Sequence, residues 1–282
     1  MGRFIFIINF TARNINIIQC FMKKIRMIVT VLVAVIMGLG LASCEKDTIA
    51  KEKKLVKFSY FDVETNFKYD GQGRLTELVY KPISGEGLIQ TYTCVWGENA
   101  VDLAFTMKVS GSDQVYEENA TWNLKDGLVS EIASSGAFIG GMKLIYGASH
   151  RISQYVGSTD KVTFEWNDDK LVYWCEEMIT GSMNDMAYTY KSNIVTKGYN
   201  PLFPFAMSPV HFFMAHPELA GISNQRLPDS GVRHDTVGGS EYISTYDYAY
   251  EFDEDGYVTK IIASYAVNGV EQTPNIYTMV WE

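Results

Sequence analysis

The sequence has 282 residues, of which 47% are hydrophobic and 13% aromatic, and its formal net charge is −9 at pH 7. Residues 1–43 contain 5 basic and no acidic side chains, so the rest of the chain carries −9 − 5 = −14. Nucleic-acid binding requires a basic surface, and this composition therefore excludes a nucleic-acid partner.

Residues 1–43 are typical of a bacterial secretory leader. Residues 22–26 (M-K-K-I-R) form a short basic region, residues 27–41 form an apolar run, and small residues precede Cys44. The L-A-S-C ending resembles the lipobox of bacterial lipoproteins, which implies cleavage before Cys44 and attachment of lipid, including palmitate, to that cysteine. An ordinary signal peptide and an N-terminal anchor are the alternatives. Met22 is the predicted start, and a longer leader is the other interpretation of the residues before it.

Residues 44–54 form a polar, Lys-rich tether. Its start, C-E-K-D, resembles the charged tag that exports some Bacteroidetes lipoproteins to the cell surface, and a solvated linker explains it equally well. We therefore expect an outer-membrane lipoprotein of a Gram-negative envelope, periplasmic or at the cell surface, with the membrane as a partner through Cys44. The remaining residues, 55–282, have the length of a single all-β domain.

One turn recurs along this domain. Residues 67–78 (F-K-Y-D-G-Q-G-R-L-T-E-L) contain a strand end, a glycine turn and a strand start. A short hairpin needs one residue at positive φ, which Gly, Asn and His tolerate best. The positions that fit are Gly73, Asn99, Gly127, His150, Asn193 and Gly256, with Lys170 as a weaker case. Their spacing, mostly roughly 20–28 residues, predicts serial β-hairpins. The first copy resembles the tyrosine–aspartate (YD) repeat of large bacterial shell proteins, which implies shared hairpin chemistry.

Alternating segments between these turns read as strands. Val162, Phe164 and Trp166 share one face of a predicted strand, and polar residues occupy the other face. Tight turns alternate with longer, Gly- and Ser-rich loops, so one edge of the sheet should carry the turns and the other edge the loops. We predict an all-β, antiparallel up-and-down meander of roughly 14–16 strands. It closes into a barrel or barrel-like curved sheet, because open edges favour aggregation.

An insertion, residues 199–229, interrupts the even spacing. It is rich in Pro and Phe, and an S-P pair at residues 208–209 predicts the start of a short helix, with Gly221 as its C-cap. We expect the insertion to lie on the edge with the longer loops. There it should cap the open end of the barrel, with Phe212 or Phe213 entering it.

These features together resemble a Bacteroides-type lipoprotein family of unknown function with a porin-like β-barrel domain. The resemblance rests on the lipobox, the serial hairpins and the Pro- and Phe-rich insertion before the last strands. It implies the barrel fold over most of residues 55–282. It carries over no catalytic residues, because its motifs are structural.

No motif points to catalysis, a cofactor or a metal, and we predict that the chain is not an enzyme. The E-x-D-x-D-G run at residues 251–256 resembles the start of a calcium loop, but its twelfth position is Ile262 rather than Glu. His211 and His216 lack the spacing and the general base of a zinc protease. His234 and the acidic residue after it have the composition of a catalytic triad, but proximity in the sequence does not establish the geometry of a triad.

Two cysteines, Cys94 and Cys175, lie in the predicted barrel. An envelope location permits a disulfide. The two residues lie several hairpins apart, which in a meander exceeds the Cα–Cα distance that a disulfide spans. We favour two unpaired, half-buried thiols.

The many aromatic residues have two interpretations, a sheet core or a stacking surface for ligands. The candidate ligand-binding residues are Tyr92, Tyr116, Trp174, Phe212 and Phe213. The leading hypothesis is a non-catalytic interaction protein with a protein or glycan partner. The alternative is a module that binds a glycan or a small apolar ligand under the helical insertion. A hydrolase that uses His234 and a pore are weaker hypotheses, and the sequence predicts no oligomeric state.

Overall fold

The structure, a computed structural model, describes residues 52–134, 136, 139–198, 200, 202, 211–222 and 226–282. The leader (1–43), Cys44 and the tether up to residue 51 lie outside the described residues, as does the predicted helix start at residues 208–209. The signal peptide, the lipid and the export tag therefore stay predictions. Lys53–Glu282 form one compact unit.

Seventeen strands make up most of this unit. Their bounds are β1 (Leu55–Tyr60), β2 (Val63–Tyr69), β3 (Leu75–Pro82), β4 (Leu88–Trp96), β5 (Ala100–Val109), β6 (Val115–Lys125), β7 (Leu128–Ser134), β8 (Met142–Tyr146), β9 (Ile152–Gly157), β10 (Asp160–Asn167), β11 (Lys170–Met178), β12 (Met183–Thr189), β13 (Ser230–Val237), β14 (Ser240–Phe252), β15 (Val258–Val267), β16 (Val270–Glu271) and β17 (Asn275–Trp281).

The strands form an antiparallel up-and-down meander, since each strand up to β15 pairs with the next one along the chain. β16 and β17 both pair with β15 and occupy one position in the sheet, which leaves 17 − 1 = 16 strand positions. β17 also pairs with β1, from Leu55 opposite Trp281 to Tyr60 opposite Tyr277. The sheet is therefore a closed barrel of 16 strand positions, which confirms the predicted all-β meander.

The inner face of the barrel is mostly apolar and the outer face is mostly polar. On β5, the inward-facing Val101, Leu103 and Phe105 are at most 2% exposed. Their outward-facing neighbours Asp102 and Ala104 are exposed. The same alternation continues around the sheet, so the hydrophobic core lies inside the barrel rather than between two layers.

The connections lie on two rims, as the alternation of turns and loops predicts. The tight-turn rim carries the connections that follow even-numbered strands up to β14, and the long-loop rim carries those that follow odd-numbered strands up to β15. Lys54 and Glu282 exchange two backbone hydrogen bonds, of 2.6 and 3.0 Å, and extend the closing β1–β17 pair at the tight-turn rim.

The long connection, residues 190–229, lies on the tight-turn rim, because it follows β12. The prediction that the insertion lies among the longer loops is wrong. The sequence pattern suggests a hairpin at Asn193, but the chain leaves the sheet after β12, and Val195 forms an isolated bridge with Arg226. Asn193 thus belongs to the insertion itself, and counting it as a turn shifts the insertion to the opposite rim.

Four of the six predicted turn residues have a positive φ, namely Gly73 (77°), Gly127 (79°), His150 (58°) and Gly256 (87°). Asn99 and Asn193 do not, and the prediction is wrong at these two positions. In the turn that contains Asn99, the Gly97 N–H donates to the Ala100 carbonyl at 2.8 Å, which closes the turn without a left-handed residue at Asn99.

Candidate functional site

The tight-turn end of the lumen is filled by part of the long connection. Helix α1 (His211–Ala215) and a 3₁₀ helix (Pro217–Ala220), with the residues up to 222, form a segment that we call the plug. Phe212 and Phe213 are at most 2% exposed. The ring centroid of Phe212 lies 4.3 Å from that of the inward-facing Trp122. None of the helices in the described part of the chain is long and apolar enough to cross a membrane.

His216, 4% exposed, fixes the plug to the barrel wall. The backbone N–H of Leu75 donates to its Nε2 at 3.0 Å, so the ring proton is on Nδ1, which lies 2.7 Å from a carboxylate oxygen of Glu218. Burial raises the pKa of Glu218, but the hydrogen bond from His216 lowers it, and the net result is below the ordinary value. Both ring nitrogens are occupied, so His216 has a structural role.

The plug ends as the sequence predicts. Gly221 has a φ of 62° and its N–H bonds the carbonyl of Glu218, so it is the C-cap of the 3₁₀ helix. A Cβ at this position would lie 2.0 Å from the carbonyl oxygen of His150 in the β8–β9 turn. Glycine is therefore required both by the backbone conformation and by the close approach of the plug to the rim.

One wall of the lumen, from the long-loop rim down to the plug, is lined by tyrosines. This tyrosine wall consists of the inward-facing Tyr60, Tyr188, Tyr246, Tyr248, Tyr250, Tyr265 and Tyr277, all partly exposed. The rings of Tyr246 and Tyr265 stack with centroids 5.4 Å apart. Deeper in the lumen, the Tyr188 hydroxyl donates to the carbonyl of Leu202 at 2.8 Å. Burial raises the pKa of Tyr60 and Tyr246, so their hydroxyls stay neutral donors.

Polar side chains lie beside the tyrosine wall on neighbouring strands. Arg233 and Asp235 of β13 form an ion pair with an N–O distance of 2.7 Å. The Asn184 amide, opposite Asp235 in the sheet, donates to Glu176 at 3.0 Å. Asn275 is 7% exposed, and its Oδ1 has no hydrogen-bond partner among the described residues. Together they place charged groups and an open acceptor next to aromatic faces.

The five predicted ligand-binding residues do not form one site. Tyr92, 3% exposed, packs on Phe105 with ring centroids 4.8 Å apart, and Trp174 is 9% exposed on a different wall. Phe212 and Phe213 lie in the plug, at the end opposite the long loops. Tyr116, 37% exposed, is the one of the five that reaches the mouth. Four of the five residues are therefore part of the core, and the structure does not bring the five together around one ligand position. That they bind a ligand stays a prediction.

On the outer face of the barrel, His234 lies in a row of polar residues. Its Nδ1 lies 3.0 Å from Oδ1 of Asp185, and Cys175 is directly opposite Asp185 on the next strand. Burial raises the pKa of the Cys175 thiol, so it stays protonated and is a poor nucleophile. Across the described ranges, no cluster of three or more His, Cys, Asp or Glu could hold a metal ion.

The two thiols are free, as the sequence predicts. Cys94 is buried on the inner face, opposite Leu103, whereas Cys175 lies on the outer face, opposite Asp185. Because the two side chains project to opposite sides of the barrel wall, they cannot form a disulfide within this fold.

Comparison with known proteins identifies the fold. No family model and no curated protein matches the chain. A porin-like protein from Bacteroides vulgatus ATCC 8482, solved at 2.80 Å, matches with a TM-score of 0.53 and 14% identity, over 80% of this chain and 98% of its own. A porin-like protein from Bacteroides uniformis ATCC 8492, solved at 2.32 Å, matches with a TM-score of 0.54 and 15% identity, over 82% of this chain and 97% of its own.

This chain has the porin-like fold. The part of this chain that the two solved structures cover corresponds in length to the Lys53–Glu282 unit, which has 282 − 52 = 230 residues. The resemblance seen in the sequence is therefore confirmed for the porin-like barrel. Identities of 14% and 15% show the fold alone, and the lipoprotein part of the resemblance stays a prediction.

Proposed function

We propose that the chain is a lipid-anchored, non-catalytic envelope protein whose porin-like barrel binds a ligand in its lumen and does not conduct solutes. The observation that carries this proposal is the distribution of polarity. A membrane barrel is apolar outside and polar inside. This barrel has its apolar core inside, a charged outer face and a plug at one end.

The outer face argues against insertion into a bilayer. Glu64 lies between Lys57 and Lys81 on three adjacent strands, and Glu251 pairs with Lys260 on the other side of the closing seam. A lysine facing lipid near the bilayer midplane costs about 2–4 kcal/mol. Cross-strand ion pairs of this kind are typical of a wall that faces water.

The lumen favours a glycan as the ligand. Aromatic faces such as Tyr246 and Tyr265 suit the apolar faces of sugar rings. Arg233 and Asp235 beside them supply donors and acceptors for hydroxyls. A purely apolar ligand would cover, without pairing them, the donors and acceptors that the Arg233–Asp235 ion pair does not use, at a cost of about 1–3 kcal/mol for each one left unsatisfied.

The tether sets the orientation in this proposal. The described chain begins beside Lys54 at the tight-turn rim, so the tether leaves the barrel at the plugged end. Fully extended, the roughly 10 residues from Cys44 onward reach at most about 35 Å. A lipid on Cys44 would hold the plugged end near the membrane and leave the mouth free.

Residues 48–282 test the proposal directly. We expect them to be monodisperse without detergent, to give no step conductance in planar bilayers, and to bind glycans on an array. Tyr246→Ala with Tyr265→Ala should abolish glycan binding, whereas Tyr173→Ala on the outer face is the matched control. Conductance steps or a need for detergent would favour a pore. Binding of an apolar dye without any glycan would favour the small apolar ligand.

A further inference from the structure

Exposed apolar side chains concentrate around the open mouth. Eight of those on the long-loop rim form what we call the apolar rim: Phe61, Ile83, Val109, Val115, Ile179, Met183, Val237 and Val270, between 41% and 79% exposed. On the opposite rim, the tight turns at residues 71–73, 97–99, 126–127 and 253–256 contain only Gly and polar residues, and Val195 of the long connection is 48% exposed. Clustered exposed apolar residues mark interaction sites, whereas scattered ones are ordinary.

The apolar rim is one continuous arc. Its members come from the hairpins β5–β6, β3–β4, β1–β2, β15–β16, β13–β14 and β11–β12, which are consecutive around the closed barrel. Strands lie about 4.8 Å apart, so neighbouring hairpins are spaced about 10 Å apart along the rim. An extended or helical segment laid along the arc would meet several apolar side chains at once.

Hydrogen bonds between neighbouring hairpins hold the arc in shape. The Ile83 N–H donates to the Asp62 carbonyl at 2.7 Å, and the Ser110 N–H donates to the Gly87 carbonyl at 2.7 Å. On the other side of the seam, the Asn268 N–H donates to the carbonyl of Ile243 at 2.7 Å. A surface that is ordered before binding loses less entropy when a partner docks.

Carboxylates alternate with the apolar side chains. Within two residues of the six loops lie the acids Asp62, Glu64, Glu86, Asp113, Glu177, Glu241 and Glu271 and the bases Lys81 and Lys108. Lys81 already has Glu64 at 3.6 Å. The arc therefore combines exposed apolar side chains with a net negative charge. The chain as a whole is also net negative.

We propose that the apolar rim is the docking surface for a cationic, amphipathic peptide segment of a partner. Apolar side chains of the segment would cover the rim, and its Lys or Arg residues would pair with the rim carboxylates. An anionic lipid surface and a second copy of the chain both place negative charge against negative charge, and so fit the arc less well. This proposal does not depend on the lumen ligand.

Fluorescence anisotropy with the purified full chain provides the test. The probe is a short labelled peptide of Lys, Leu and Ala that forms an amphipathic helix. Its controls replace Lys by Glu or Leu by Ser. We expect binding of the first peptide alone, weakened by salt. Combined Phe61→Ser, Ile179→Ser and Val270→Ser should weaken it at least about tenfold, equivalent to about 1.4 kcal/mol.

A matched variant separates the rim from general hydrophobicity. Val95, Val232 and Val280 lie on the outer wall and are 63%, 37% and 45% exposed. Their combined change to Ser should leave peptide binding unaltered. Equal loss in both variants, no loss in the rim variant, or equal binding of the Glu peptide overturns the proposal.

A second set of variants tests the charge. Asp62→Asn, Glu86→Gln and Glu271→Gln together should weaken peptide binding and flatten its salt dependence, with an unchanged melting temperature. If the apolar rim variant instead abolishes binding to phosphatidylglycerol vesicles, or abolishes self-association in sedimentation, while peptide binding is unaffected, the occupant is a lipid surface or a second copy and the proposal is wrong.

Discussion

At the scale of single residues, the turns on the tight-turn rim depend on left-handed backbone. Gly256 has a φ of 87° and a Cβ built there would meet no atom within 4 Å. Space is therefore not what selects glycine, and the constraint is the backbone conformation itself. For L-residues this conformation costs about 1–2 kcal/mol.

Gly256→Val should lower the free energy of unfolding by about 1–2 kcal/mol or more, since valine is β-branched. Gly71→Val is the matched control, because Gly71 lies in an equivalent turn with equally open space but without a positive φ. Urea unfolding should show a lower midpoint for the first variant only. Equal midpoints would mean that the left-handed turn is not what glycine provides.

The thiols give a second prediction at this scale. Burial raises the pKa of the Cys94 thiol to about 12, so almost no thiolate exists near pH 8. An alkylating reagent at pH 8 should leave Cys94 unmodified in the folded protein and modify it in denaturant. Mass spectrometry of the Cys94 peptide measures this, and Cys94→Ser identifies the signal. Labelling of Cys94 in the native state at the denatured rate would contradict the inward position of its side chain.

At the scale of elements, the plug is a short helical segment that the barrel stabilises. A helix of 5 residues is too short to be stable alone in water, so its side chains must be held by tertiary contacts. Phe213 supplies such a contact, with its ring centroid 4.9 Å from that of Trp122. The His216 ring and the Tyr146 hydroxyl bond the plug to β3 and β8, and Gly221 lies close against the β8–β9 turn.

Phe213→Ala should therefore lower the free energy of unfolding by about 3–5 kcal/mol. Phe61→Ala removes the same side chain from a position that is 66% exposed, and should change stability by less than about 0.5 kcal/mol. Thermal unfolding of the two variants side by side gives the comparison. Similar melting temperatures would show that the plug does not contribute to the core.

At the scale of the whole molecule, the closing pair of β1 and β17 removes the two open edges of the meander. The rings of Tyr60 and Tyr277 stack across this seam at 4.3 Å. Lys54 and Glu282 are directly hydrogen-bonded there, so the two ends of the barrel domain are adjacent. A closed barrel has no privileged first strand, and its chain can in principle begin at any exposed hairpin.

A circular permutant tests this closure. Joining residue 282 to residue 53 through a short Gly-Ser linker, with new ends between Gly238 and Gly239, should give a soluble, cooperatively folding barrel. New ends between Ala120 and Thr121, inside β6, should prevent folding, because they cut a central strand. Aggregation of the first permutant to the same extent as the second would argue that β1 and β17 do not pair in solution.

The sequence by itself determines the strands, their approximate number and their closure. These follow from local rules: period-two alternation, residues that tolerate positive φ, and the need to pair every edge. Val162, Phe164 and Trp166 face inward for this reason, and the left-handed turns at Gly73 and Gly256 need no distant contact. The same local rules also separate Cys94 and Cys175 by several hairpins.

The tertiary structure alone decides which rim holds the plug and which inward side chains meet. Whether a connection follows an odd-numbered or an even-numbered strand decides on which rim it lies. One extra turn counted at Asn193 is therefore enough to place the insertion on the wrong rim. Arg233 and Asp235 alternate like any polar strand residues, and only closure turns them toward the tyrosine wall. Alternation assigns a residue to one of two faces, but whether that face is lumen or solvent depends on how 16 strand positions curve together.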